Sequence, residues 1–139
     1  MKNKGFTLIE LLAVIVILAI IALIATPMIL GVIDTAKRGS AESSALGYVE
    51  SVEKSIMLQQ VKGGEAPAAG QYTISNDGKT LTYTATSKTY TITVDFKGAA
   101  PTGSVTIGSN GSVTAAELTF ATIHANKVTY DGSKAKIAS

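Results

Sequence analysis

The run LLAVIVILAIIALIA, from Leu11 to Ala25, holds no charged or polar side chain. Its surroundings extend the apolar character from Phe6 to Ile33, broken only by Thr7, Glu10, Thr26, Pro27 and Gly31. As a helix, residues 6–33 would measure roughly 42 Å at 1.5 Å per residue, more than the ~30 Å hydrocarbon core of a bilayer. Such a segment can cross a membrane or fill the centre of a helical assembly; it cannot lie on the surface of a water-soluble domain. Glu10 conflicts with the membrane reading, because a charge deep in a bilayer costs about 2.5–3.5 kcal/mol even on the lenient insertion scale.

The formal net charge of +2 comes from twelve Lys and Arg against ten Asp and Glu, and Lys2 and Lys4 supply both excess positives. That balance argues against direct nucleic-acid binding, which needs clustered basic residues. By the positive-inside rule, Lys2 and Lys4 hold the extreme N-terminus in the cytoplasm. Lys37 and Arg38 at the far end weaken this orientation, although Asp34 and Glu42 sit beside them. A secretory signal peptide has a similar basic start, but its apolar core is shorter and ends at a small-residue cleavage site. No A-x-A site closes the apolar run at Ala25. A plain single-pass anchor fits the length better, yet neither alternative explains a carboxylate at position 10.

The stretch Gly5-Phe6-Thr7-Leu8-Ile9-Glu10-Leu11-Leu12, behind a short basic leader, resembles the cleavage motif of type IV prepilins and related pseudopilins. The resemblance implies that a prepilin peptidase cuts between Gly5 and Phe6 and methylates the new N-terminus at Phe6. It further implies that the apolar segment stays in the mature protein, and that Glu10 neutralises the Phe6 amine of a neighbouring subunit during assembly. The cut would place an ammonium one helical turn from Glu10, where each charge alone is costly in an apolar setting. A local pairing with its own Phe6 amine, or with the positive end of the helix dipole, stays open for Glu10.

Pro27 removes the helical bond to the Leu23 carbonyl and predicts a kink, and Gly31 one turn later weakens the helix further. Beyond Ile33 the pattern turns amphipathic. Ala45, Val49, Val52 and Ile56 form an apolar stripe, with Glu42, Glu50, Glu53 and Lys54 read as the solvated face. Lys62-Gly63-Gly64 signals the helix stop. The expected organisation is a leader at 1–5, a membrane or filament-core helix at 6–33, an amphipathic half at 34–62, a linker at 63–70 and a β-rich head at 71–139. In the head the period becomes two: Tyr72 and Ile74, Leu81 and Tyr83, and Tyr90, Ile92, Val94 and Phe96 alternate with polar residues, as do later pairs. Turn signals at Asn76-Asp77-Gly78-Lys79 and Asp131-Gly132 separate the strands. The expected fold is α+β, a long N-terminal helix packed on an antiparallel sheet of five to seven short strands.

Little in the head points to chemistry. His124, the only histidine, is expected in a turn, away from any serine and acid suited to catalysis. Asp77 and Asp131 lack EF-hand spacing and read as turn formers; Asn110-Gly111-Ser112 reads as turn chemistry too. No P-loop, dinucleotide fingerprint or zinc pattern is present, so neither cofactor, metal nor enzymatic activity is expected. The chain has no cysteine, which departs from the disulfide-closed loop of many Gram-negative pilins and suits a Gram-positive source. By resemblance, the chain is a pilin that starts as a single-pass membrane precursor and ends in an extracellular filament. Its implied partners are further copies of itself, a prepilin peptidase, an assembly ATPase with its membrane platform protein, minor pilins and, before assembly, lipid. The alternatives are a pseudopilin of a DNA-uptake or secretion system and, from another class, a monomeric anchored adhesin.

Overall fold

The computed structural model describes residues 5–139. One long helix, α1 (Leu8–Val61), precedes seven strands: β1 (Gly70–Ile74), β2 (Thr80–Thr84), β3 (Thr89–Thr93), β4 (Thr102–Ile107), β5 (Val113–Phe120), β6 (His124–Tyr130) and β7 (Ala135–Ile137). This is the α+β class expected from the switch in periodicity. The chain divides into two compact units, one ending at Ala36 and the other spanning Lys37–Ser139.

In the first unit the large apolar side chains of the helix are exposed among the described residues. Leu12 is 59% exposed and Leu23 79%, and the segment is long and apolar enough to cross a membrane. An apolar surface of this extent marks an interaction with lipid or protein.

In the second unit the helix supplies one wall of the core. Ala45, Val49, Val52 and Ile56 are buried as the spacing predicts, and they are joined by Ala41 and Tyr48. The buried stripe is wider than the sequence pattern suggested. Tyr48 packs edge-on against Phe96, with ring centroids 5.3 Å apart, and its hydroxyl donates to the Gly78 carbonyl at 2.9 Å. Burial, reinforced by the negative charge of Asp77, raises its pKa well above the ordinary tyrosine value.

The helix ends in a Schellman arrangement. Gly63 adopts φ +79°, its N–H bonds the Gln60 carbonyl at 3.0 Å, and Gly64 N–H bonds the Gln59 carbonyl at 2.8 Å. These bonds satisfy carbonyls that the helix terminus leaves without intrahelical donors.

All strand pairs are antiparallel, in the order β3-β2-β1-β4-β5-β6-β7. The inward residues, among them Ile92, Leu81, Tyr72, Val105, Leu118 and Val128, complete the core. The outward face is hydrophilic. Thr91, Thr82, Thr73, Ser104, Glu117, Thr129 and Lys136 form one aligned row across all seven strands. Gly103 on β4 has φ +125°, and a Cβ there would lie 2.0 Å from the Glu117 carbonyl oxygen. Only glycine allows β5 to approach so closely.

The structure corrects two sequence-based readings. Glu42 and Glu53 are not merely a solvated helix face. Glu42 Oε1 accepts the Ile137 N–H at 3.0 Å, and Glu53 Oε1 accepts the Val113 N–H at 2.9 Å. Each carboxylate satisfies a strand N–H, and Glu42 does so on β7, at the edge of the sheet; Glu50 is exposed as expected. His124 does not sit in a turn either. The turn precedes it, closed by Ile123 N–H to the Phe120 carbonyl at 2.8 Å, and His124 opens β6 with Nδ1 accepting the Asn126 N–H at 3.1 Å.

Asp77 and Asp131 occupy their turns as the sequence suggests. Asp131 Oδ1 accepts the N–H groups of Ser133 and Lys134 at 2.9 Å each. These bonds, with one from the Ser133 hydroxyl, hold its carboxyl at about 2.

Candidate functional site

The residues singled out by the motif lie at the head of α1. Gly5 and Phe6 precede the helix, and both are exposed, Phe6 at 85%. A side chain built on Gly5 would meet nothing within 4 Å. Lys2 and Lys4 lie outside the described residues.

The helix starts at Leu8 because Thr7 caps it. Thr7 Oγ1 accepts the Glu10 N–H at 3.3 Å, and Glu10 Oε2 accepts the Thr7 N–H at 2.9 Å. The first helical bond follows, from Leu11 N–H to the Thr7 carbonyl at 3.2 Å. This reciprocal pair is a capping box, in which two orphan N–H groups of the first turn are satisfied by side chains. Its T-x-x-E spacing is present in the sequence.

The geometry sets what Glu10 can do. In the uncut chain Phe6 N is a peptide nitrogen, so the carboxylate turns back onto its own helix end. The box engages Oε2 alone, which leaves Oε1 for a second donor. Scission before Phe6 would create an ammonium one residue ahead of Thr7, a charged donor able to compete for the carboxylate.

Further along, α1 stays helical on both sides of Pro27. The proline has no N–H for the Leu23 carbonyl. Next to it, Thr26 Oγ1 donates to the Ala22 carbonyl at 2.7 Å, and Thr35 Oγ1 donates to the Gly31 carbonyl at 3.0 Å. These hydroxyls bond back to their own helix and so hide their polarity in an apolar setting. Among the described residues, no group of three or more His, Asp or Glu side chains is placed to hold a metal ion.

A family model described as the prokaryotic N-terminal methylation motif matches residues 1–26. The type IV narrow pilus major component PilA5 of Thermus thermophilus is 32% identical over 104 residues, covering 66% of this chain and 88% of that protein. No solved structure matches the chain.

Proposed function

The chain belongs to the type IV pilin family, and from that premise we propose how it is processed and built into a pilus. It is a structural subunit of a type IV pilus and not an enzyme. The carrying observation is an apolar helix with no cover from Leu8 to Ile33, headed by a single carboxylate already bound to its own N-terminal turn.

The precursor sits in the cytoplasmic membrane with Lys2 and Lys4 on the cytoplasmic side and the head outside. A prepilin peptidase cuts the exposed Gly5–Phe6 bond and methylates Phe6. An assembly ATPase, acting through a membrane platform protein, extracts the subunit. The apolar helix then leaves lipid for a bundle of like helices, exchanging one apolar setting for another at little cost. Glu10 gives up its capping bond in favour of the charged Phe6 amine of a neighbour, which fixes the axial position of each subunit. Pro27 is where the helix opens or bends as subunits pack. Minor pilins share this machinery.

The relative is a major pilus component, which supports this chain as the repeating subunit of a filament. That reading is preferred to a short-lived pseudopilus or a monomeric adhesin. The test is Glu10→Ala in cells. Cleaved subunits are expected to accumulate in the membrane while surface filaments disappear. Normal filaments from Glu10→Ala would refute the assembly role. Unaltered display and ligand binding, in cells whose parent strain has no filaments either, would favour the adhesin.

A further inference from the structure

The two edges of the sheet are finished differently. β7 is three residues long, carries Lys136, follows Lys134, and has its Ile137 N–H occupied by Glu42. Short edges, lysines and covered donors are ordinary defences against unwanted strand pairing. β3, at the other edge, is also preceded by a lysine, but Lys88 is drawn away onto Glu65 and over the Tyr90 ring, and among the described residues no side chain holds an outward N–H of the strand. Its five residues, Thr-Tyr-Thr-Ile-Thr, are all strong strand formers without charge, proline or bulge.

The hydrogen bonds on the closed side of β3 show which groups face out. Lys88 N–H bonds Ala85 at 3.4 Å, and Val94 N–H bonds Lys79 at 2.7 Å, both towards the β2 side. Strand groups alternate in direction, so Thr89, Thr91 and Thr93 turn their N–H and C=O groups to the open edge. Beside that edge runs a groove of about 710 Å³, lined by Ser55, Leu58, Gln59, Lys62 and Thr91 among others. Leu58 is 49% exposed there.

We propose that this edge is an interaction surface for a second copy of the chain, paired β3 to β3 in antiparallel register about Thr91. The strand is close to a palindrome, and this supplies the complementarity. Thr91 meets Thr91 of the second copy, Thr89 meets Thr93, and Tyr90 meets Ile92. Outward Thr–Thr pairs and inward aromatic–aliphatic pairs are favourable cross-strand partners. The incoming strand lies along the groove, where its half-buried Tyr90 covers Leu58 while Ile92 stays in its own core. β7 is the poorer partner, because Glu42 already holds its Ile137 N–H and the strand is only three residues long.

An isologous pair of this kind has a two-fold axis normal to the sheet. The helix segments beneath the two sheets therefore run in opposite directions. Such a contact cannot repeat within one polar filament; it joins two oppositely directed filaments or two facing surfaces. The proposal goes beyond the filament reading and does not depend on it.

The chain has no cysteine, so one introduced thiol reports one contact. Opposed residues of a hydrogen-bonded antiparallel pair lie about 5.5 Å apart at Cα, within the range of a disulfide. The full-length chain, solubilised in detergent, is oxidised as Thr91→Cys and as Thr73→Cys, an exposed position on the same face in β1. The expected result is a disulfide-linked dimer from Thr91→Cys and monomer from Thr73→Cys. Adding Thr89→Pro to Thr91→Cys removes one outward N–H at a strand end that tolerates proline, and should abolish the dimer with the circular dichroism unchanged. Equal cross-linking at both sites, none at Thr91→Cys, or dimers that survive Thr89→Pro would overturn the proposal.

Discussion

Replacing Tyr48 with Phe isolates one bond between helix and sheet. The ring is fully buried, and Phe keeps its shape and its edge-on contact with Phe96. Only the hydroxyl is lost, and with it the 2.9 Å bond to the Gly78 carbonyl in the turn between β1 and β2. A buried carbonyl deprived of its donor costs about 1–3 kcal/mol. For a unit of this size, each 1 kcal/mol lowers the melting temperature by about 4–8 °C. Tyr48→Ala, which removes the ring too, should cost about 3–5 kcal/mol. Thermal unfolding of the full-length protein in detergent, followed by circular dichroism, gives both values.

The pH dependence provides a second reading of the same group. Its pKa is raised above 10.0, by burial first and by Asp77 second. The fold therefore favours the neutral phenol, and this contribution is complete below pH 10 and lost as the pH climbs beyond it. Tyr48→Phe removes that part of the alkaline destabilisation. A Tyr48→Phe protein that melts with the parent and keeps its full alkaline sensitivity would refute the assigned bond.

Glu53→Ala leaves the Val113 N–H without its carboxylate partner and should lower stability by about 1–3 kcal/mol, whereas Glu50→Ala, at an exposed position, should change it by less than about 0.5 kcal/mol; urea unfolding compares the two. The Asp131 turn should resist mild acid. Its carboxyl is held at about 2, against an ordinary 3.8, so its contribution is present above pH 3.8 and lost as the pH falls through 2. Amide exchange at Ser133 and Lys134 should stay protected at pH 3 in the parent and be fast in Asp131→Ala.

What could be read from the sequence divides along the range of the interactions. The apolar run, the stripe Ala45–Val49–Val52–Ile56, the glycine stop at Gly63 and the Asp turns are local patterns, and each sits where its spacing puts it. Strand order is not local. β1 lies between β2 and β4, pairing Gly70 with Ile107, and no periodicity announces that. Glu42 and Glu53 meet partners 95 and 60 residues away, so a helical wheel shows them only as polar. Tyr48 lies outside the four-residue stripe because the sheet buries a wider arc of the helix than that stripe spans. At the candidate site, Gly5, Phe6 and Glu10 stood out by motif. The Thr7–Glu10 box is equally local, since its T-x-x-E spacing stands in the sequence. The open edge of β3 became visible only with the topology, which shows which strand is last.

The central claim is that this chain is cut before Phe6 and polymerised with its apolar helix intact. Intact-mass measurement on filaments sheared from cells tests it most directly. The expected subunit starts at Phe6 and carries one added methyl group there. A filament subunit that begins at Met1 or after Ala25, or filaments that do not contain this chain, would contradict it.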